Sequence, residues 1–179
     1  MSRTSDDIAV RVRTLATLLT RQQQRIATAE SCTGGLIAGA LTALAGSSAW
    51  FERGWVTYSN DAKAQELGID PVLIATHGAV SETVAVAMAE GARRSAATDF
   101  ALSVTGIAGP GGGTPQKPVG TVCFGWATPT QTRTETQHFS GDRQQIREQS
   151  VVHALAGLIA LLVDGACNWA HQQEPRSTS

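Results

Sequence analysis

The chain is short of the features that mark several large protein classes. Its three cysteines, Cys32, Cys123 and Cys167, are odd in number and far apart, which fits neither a disulfide framework nor paired zinc ligands. A reducing, cytoplasmic setting suits them. Charge of one sign is missing too: 14 Lys and Arg stand against 15 Asp and Glu, for a formal net charge of −1. Without a basic surplus there is little to neutralise a phosphate backbone, which argues against nucleic acid as a partner. The four histidines, at 77, 138, 153 and 171, show no metal-ligand spacing such as HExxH, so no metal and no cofactor are expected. Long apolar runs are absent as well. Residues 1–20 are interrupted by Asp6, Asp7, Arg11 and Arg13, unlike a secretion signal. The most apolar stretch, Val151 to Val163, falls short of the ~20 residues that cross a bilayer and contains His153, so it reads as a buried helix rather than a membrane segment.

What is present suits one enclosed core. At 179 residues with 42% hydrophobic content, one domain over residues 1–170 is expected, followed by a polar tail at 171–179 that is expected to lack order. Ser5 can cap a first helix with Asp6 and Asp7 in its opening turn and Ile8, Val12, Leu15 and Leu19 on one stripe. Arg25 to Glu30 is a short strand that runs into Ser-Cys-Thr-Gly-Gly, and Leu36, Ile37, Ala40, Leu41 and Leu44 then form a helical stripe. Gly54 to Tyr58 reads as a second strand, and Asn60 to Leu67 as a helix stopped by Gly68. Pro71 opens another helix ending near Gly78, and Ser81 with Glu82 opens one that runs to about Ala97. Phe100 to Thr105 is an apolar strand that empties into a glycine loop. Val119 to Ala127 and Thr132 to Phe139 make a hairpin around Pro129, and a last helix starts near Asp142. Helices between strands early and a hairpin late imply an α/β fold of three layers, α/β/α, around a mixed, mostly parallel sheet of about five strands.

The chemistry concentrates at strand ends. Ser31 stands where a strand gives way to a helix, so its hydroxyl would be exposed beside the N–H groups of the helix start, which could hold an oxyanion or a phosphate. Ser31 or Thr33 could equally serve only as the helix cap. Lys63 falls in the first turn of the helix opened by Ser59 or Asn60, where a cation opposes the helix dipole and stability alone would not select it. A desolvated lysine there has a lowered pKa, the condition for accepting a serine proton, and serine–lysine pairs are a known variant of the catalytic triad. Tyr58, the only tyrosine, is a candidate proton relay or substrate contact, or else a packing residue. The loop from Gly106 to Gly113 lacks the order of a dinucleotide fingerprint and the lysine of a Walker loop, yet could wrap a ribose or phosphate. Cys32 competes with Ser31 as a nucleophile, and Arg143 could clamp a phosphate through its planar fork.

Several motifs in sequence order then carry a resemblance: Thr28-Ala-Glu-Ser-Cys-Thr-Gly-Gly35, Ala49-Trp-Phe-Glu-Arg-Gly54, Tyr58-Ser-Asn-Asp-Ala-Lys63, His77-Gly-Ala-Val-Ser81, and Val104-Thr-Gly-Ile-Ala-Gly-Pro-Gly-Gly-Gly113 with Lys117-Pro-Val-Gly-Thr121. Together they closely resemble the nicotinamide-nucleotide amidohydrolases of the CinA C-terminal family, over about Leu15 to Val163. The resemblance implies hydrolysis of nicotinamide mononucleotide to nicotinate mononucleotide and ammonia in pyridine nucleotide recycling, by a homodimer or larger homo-oligomer. By motif it implies Ser31 as nucleophile, Lys63 as base and Tyr58 as a supporting hydroxyl. Cys32, Thr33, Gly34, Gly35, Asn60, Thr105, Gly106, Ala108, Gly109 and Gly111 would line the nucleotide pocket, and Arg143 is added here as a phosphate ligand. Larger members of the family carry a further N-terminal domain, so a stand-alone deamidase is expected. The rival expectation is a non-catalytic module that grips a nucleotide phosphate and cleaves nothing.

Overall fold

A computed structural model describes residues 3–172 of the chain. The elements follow in the order α1 (Arg3–Gln22), β1 (Ile26–Glu30), α2 (Leu36–Thr42), a 3-10 turn (Ser47–Ala49), β2 (Phe51–Val56), α3 (Asn60–Leu67), α4 (Pro71–His77), α5 (Glu82–Ala96), β3 (Phe100–Gly106), β4 (Thr121–Ala127), β5 (Thr132–His138) and α6 (Arg143–Gln172). The sheet order is β2-β1-β3-β4-β5. β1 pairs in parallel with both β2 and β3, whereas β3–β4 and β4–β5 are antiparallel. Four strands therefore point one way and only β4 runs against them.

Two apolar clusters cover the two faces. On one, Leu15 and Leu19 of α1, Ile37 and Leu41 of α2, and Ile146, Leu155 and Leu158 of α6 are buried against Leu102, Val104 and Phe124. On the other, Leu67, Ile74, Val84 and Met88 from α3, α4 and α5 are buried with Ala27, Ala29 and Ala101. At roughly 1.5–3 kcal/mol for each fully buried aliphatic side chain, this is what fixes the helices to the sheet. The stretch Arg143–Asp164 is long and apolar enough to cross a bilayer, with a mean hydropathy of 1.5. Its side chains at 151, 154, 155, 158, 161 and 162 are instead buried in the first cluster, and Trp126 Nε1 donates to Ala154 O at 2.9 Å. A Cβ at Gly157 would overlap the Trp126 indole, so the close approach of α6 to β4 requires glycine there.

Three boundaries depart from the sequence pattern. α1 is already under way at Arg3, so Ser5 lies inside the helix rather than at its cap. β2 begins at Phe51 and ends at Val56, not Gly54 to Tyr58, because it is set by pairing with β1 from Ile26↔Phe51 to Glu30↔Val56. Gly54 sits mid-strand over the Thr28 hydroxyl, where a Cβ would crowd Oγ1. α6 continues to Gln172, into the expected tail, and residues 173–179 lie outside the described residues.

The chain leaves β1 through α2 on one face and returns to β3 from α5 on the other. Such a reversal between neighbouring parallel strands opens a crevice beyond their carboxyl ends, where open α/β sheets place their ligands. Ser31, Thr57 and Gly106 all stand at that edge.

Candidate active site

Ser31 follows β1 directly, and its N–H donates to Val104 O of β3 at 2.9 Å, which ties the turn to the sheet. Gly34 and Gly35 have φ of 58° and 91°, left-handed values that let the chain reverse into α2 within four residues. Lys63 lies one turn into α3, whose start is capped by Ser59 Oγ accepting from Ala62 N at 3.0 Å. Its side chain turns back across the strand ends. Nζ lies 3.1 Å from Ser31 Oγ and donates to Thr57 O at 2.8 Å. Lys63 is only 1% exposed, and burial pulls its pKa below the ordinary lysine value of 10.5, partly offset by Cys32. Desolvation rather than the helix dipole is the leading cause. A neutral amine within hydrogen-bond distance of a serine hydroxyl can take its proton.

A cavity of about 210 Å³ opens over this pair. Ser31, Cys32, Tyr58, Asn60 and Lys63 line one side, and Thr105, Gly106, Ala108 and Arg143 the other. These nine include the expected nucleophile and base. Tyr58 is 60% exposed at the mouth, where its hydroxyl accepts from Arg143 Nη2 at 2.9 Å. Arg143 Nη1 donates to Gly109 O at 2.7 Å, so this arginine braces the glycine loop as well as facing the cavity. Thr105 is 1% exposed, and its hydroxyl is spent on Ala79 O at 2.8 Å. Thr33, Gly34, Gly35, Gly109 and Gly111 do not line this cavity, because the turn after Cys32 folds back under α6 and the glycine loop bends away after Ala108.

The helix start expected to hold an oxyanion is already occupied. Glu30, fully buried, accepts from Gly35 N at 3.0 Å and Ile37 N at 3.1 Å through Oε2, and from Ala38 N at 2.8 Å through Oε1. Gly34 N is also taken, by Ser31 O at 3.0 Å. Cys32 and Thr33 are left as the N–H groups of the turn that no carbonyl or carboxylate receives. The Cys32 thiol is pushed up to about 12, chiefly by burial, which keeps it protonated and unreactive beside Ser31.

Four contributors carry no local signal of their role in the sequence: Glu30, Arg147, Ala79 and Val80. Arg147 donates from Nε to Cys32 O at 3.1 Å and from Nη2 to Thr33 O at 2.9 Å. Ala79 and Val80 complete the cavity wall, and Lys117 Nζ pins their loop by donating to Val80 O at 2.6 Å. The His77-Gly-Ala-Val-Ser81 motif pointed at this wall without saying what it does. A larger hollow of about 550 Å³ lies between α1, α2 and α6, lined mostly by apolar residues such as Ile8, Val12, Leu36 and Leu44, but neither Ser31 nor Lys63 reaches it. Among the described residues no group of three or more His, Cys, Asp and Glu side chains is placed to hold a metal ion.

The profile of the CinA C-terminal domain matches residues 9–162. The chain belongs to the CinA C-terminal domain family. Curated relatives of this family include the nicotinamide-nucleotide amidohydrolase PncC of Escherichia coli strain K12, 55% identical over 134 residues that cover 74% of this chain and 81% of that protein. PncC of Pseudomonas putida is 49% identical over 154 residues, covering 84% and 96%. A CinA-like protein of Syntrophobacter fumaroxidans is 52% identical over 140 residues, and there the match spans only 33% of the relative's length. Among solved structures, competence/damage inducible protein CihA from Agrobacterium tumefaciens superposes with a TM-score of 0.85 at 46% identity, covering 87% of this chain and 95% of that one. The CinA superfamily protein of Escherichia coli gives 0.84 at 37% identity, covering 90% and 93%.

Proposed function

We propose that the protein is an amidohydrolase that converts nicotinamide mononucleotide to nicotinate mononucleotide and ammonia, with Ser31 as nucleophile and Lys63 as base. The observation that carries this is the 3.1 Å approach of a buried, pKa-depressed lysine amine to the Ser31 hydroxyl in the wall of a cavity. The name borne by the PncC relatives supplies the substrate. Lys63 takes the proton of Ser31, and Oγ attacks the carboxamide carbon while the carbonyl oxygen becomes an oxyanion near the Cys32 N–H. Lys63 then gives its proton to the nitrogen, the C–N bond breaks and ammonia leaves. Water, deprotonated by Lys63, attacks the ester on Ser31, and the serine oxygen regains the proton as nicotinate mononucleotide departs.

The cavity is small beside the roughly 300–1,000 Å³ of ordinary ligand pockets. The reading therefore places the pyridine ring inside and the phosphate at the open mouth near Tyr58, Asn60 and Arg143. The polar contacts of Arg143 with Tyr58 and Gly109 support a role in shaping that mouth. Assembly as a homodimer or larger homo-oligomer, a cytoplasmic setting, a place in pyridine nucleotide recycling and a single domain over residues 1–170 belong to the same proposal. The unpaired thiols of Cys32 and Cys123 support the reducing setting.

Mass analysis of purified protein with nicotinamide mononucleotide tests it. A gain of about one mass unit, with equimolar ammonia, is expected from the amide-to-acid exchange, and Ser31→Ala should bind the nucleotide without converting it. Nucleotide bound by the parent yet recovered unchanged would leave a binding module in place of an enzyme.

A further inference from the structure

We infer that Arg147 is a positioning residue for the reaction at Ser31: without entering the cavity, it holds the successive peptide planes of the turn whose Cys32 N–H meets the developing oxyanion. The inference rests on the Ser31 reading above and goes beyond it, because nothing in the serine–lysine pair requires an arginine behind the turn.

Peptide planarity transmits the grip. In a trans peptide the C=O of one residue and the N–H of the next point in opposite directions in one plane, so gripping the carbonyl aims the N–H. Arg147 Nε on Cys32 O, at 3.1 Å, thereby fixes the Thr33 N–H. Nη2 on Thr33 O, at 2.9 Å, fixes the Gly34 N–H, which donates to Ser31 O at 3.0 Å. That last bond fixes the plane holding the Cys32 N–H. One guanidinium thus sets three successive planes, two directly and the third by relay. The Cys32 amide, which borders the cavity and which no carbonyl or carboxylate receives, is among those it aims.

The planar fork of arginine suits this task and the single point charge of lysine does not. A charged donor on a carbonyl also polarises its peptide and strengthens the N–H at the other end. Gly34 leaves room for the grip, since a Cβ there would lie 3.3 Å from Nη2 on a backbone with φ of 58°. Both donors are spent on the turn, and Arg147 is not among the cavity-lining residues, so its grip is on the protein.

The test compares the parent with Arg147→Ala and Arg147→Lys in three measurements: kcat and KM for nicotinamide mononucleotide with their pH profile, the rate of Ser31 labelling by a fluorophosphonate, and thermal melting. The fluorophosphonate's phosphoryl oxygen needs the same N–H donor but no nucleotide contacts. Arg147→Ala should lose about 100-fold in kcat and in labelling rate, the scale of a misaligned oxyanion donor, with KM within about threefold and the pH profile unmoved. Millimolar guanidinium should restore about tenfold of the loss, and Arg147→Lys should keep an intermediate rate at parental melting temperature. Parental kcat and labelling in the variants overturn the inference, as does a rise in KM at unchanged kcat, which would make Arg147 a substrate ligand. Should Arg147→Ala fail to fold, Arg147→Lys decides by the same readouts. If the parent labels at Ser31 but leaves nicotinamide mononucleotide intact, the substrate reading falls while the labelling rates still decide Arg147. A parent that does neither overturns both.

Discussion

Two helix starts face each other across the candidate site, and they are built in opposite ways. The start of α2 is filled from within: the carboxylate of Glu30, fully buried, receives three N–H groups and complements the positive end of the helix. The start of α3 carries a cation in the first turn, against the dipole, and Lys63 is drawn further from water until 1% of it is exposed. One arrangement favours stability and the other opposes it. In the proposed mechanism the helix start beside Ser31 holds the turn in shape, and the reactive partner is the opposed arrangement across from it, whose amine has its pKa lowered by burial.

The largest effect that can break this contrast is expected from Lys63→Met. Methionine fills similar volume without an amine, so ammonia release should fall by at least ~10³-fold, as when a triad loses its base. The melting temperature should not drop, because a buried group without a carboxylate partner is removed. The pH dependence carries the same signature. In the proposed mechanism the neutral amine is the active form, so kcat should rise with pH along a limb that lies below 10.5, the ordinary lysine value. Folding follows the same sign: between the folded pKa and 10.5 the unfolded chain binds the extra proton, so stability rises with pH across that window and levels off above it. Both slopes should vanish in Lys63→Met, and a parental pH slope in that variant would assign the titration to another group.

Glu30→Gln tests the opposite side, with a smaller effect on rate and a larger one on stability. A glutamine oxygen can accept two of the three N–H groups, but its amide hydrogens confront the third, which is buried. The loss of a charged acceptor should cost about 2 kcal/mol. For a chain of this size that lowers the melting point by roughly 4–8 °C. The turn loosens rather than losing a reacting group, so kcat should fall by about tenfold. A Glu30→Gln variant as inactive as Lys63→Met, at parental stability, would mean that the carboxylate takes part in the reaction.

How much of this was legible in the sequence follows from how local each feature is. The strand, turn and helix around Ser31 could be read because an apolar strand, two glycines and a helical stripe lie within twenty residues. α3 could be read because Ser59 and Gly68 mark its ends. Glu30 looked like the polar end of a strand, since its hydrogen bonds exist only once the chain has folded back over it. Arg147 lies 115 residues from Cys32, and no local pattern announces such a contact. Ala79 and Val80 have no reactive atoms to attract notice. The early start of β2 is set by pairing to β1, so the glycine that looked like its beginning sits in its middle.

The finest test of the comparison is Cys32, because two opposed influences act on one atom. A thiol near a helix start ordinarily ionises more easily. Here the Cys32 and Thr33 N–H groups and Arg147 do pull in that direction, yet burial outweighs them and Glu30 adds to it, leaving the thiol at about 12. Desolvation thus dominates beside α2 as it does at Lys63, and because one group is acidic and the other basic, the same physics silences the thiol and arms the amine. Cys32→Ala should accordingly keep kcat within about threefold of the parent and lose about 1 kcal/mol of stability from the trimmed buried side chain. Ammonia-release kinetics and thermal melting of the one variant suffice. Loss of turnover in Cys32→Ala with turnover retained in Ser31→Ala would move the nucleophile by one residue and invert the roles given to the two helix starts.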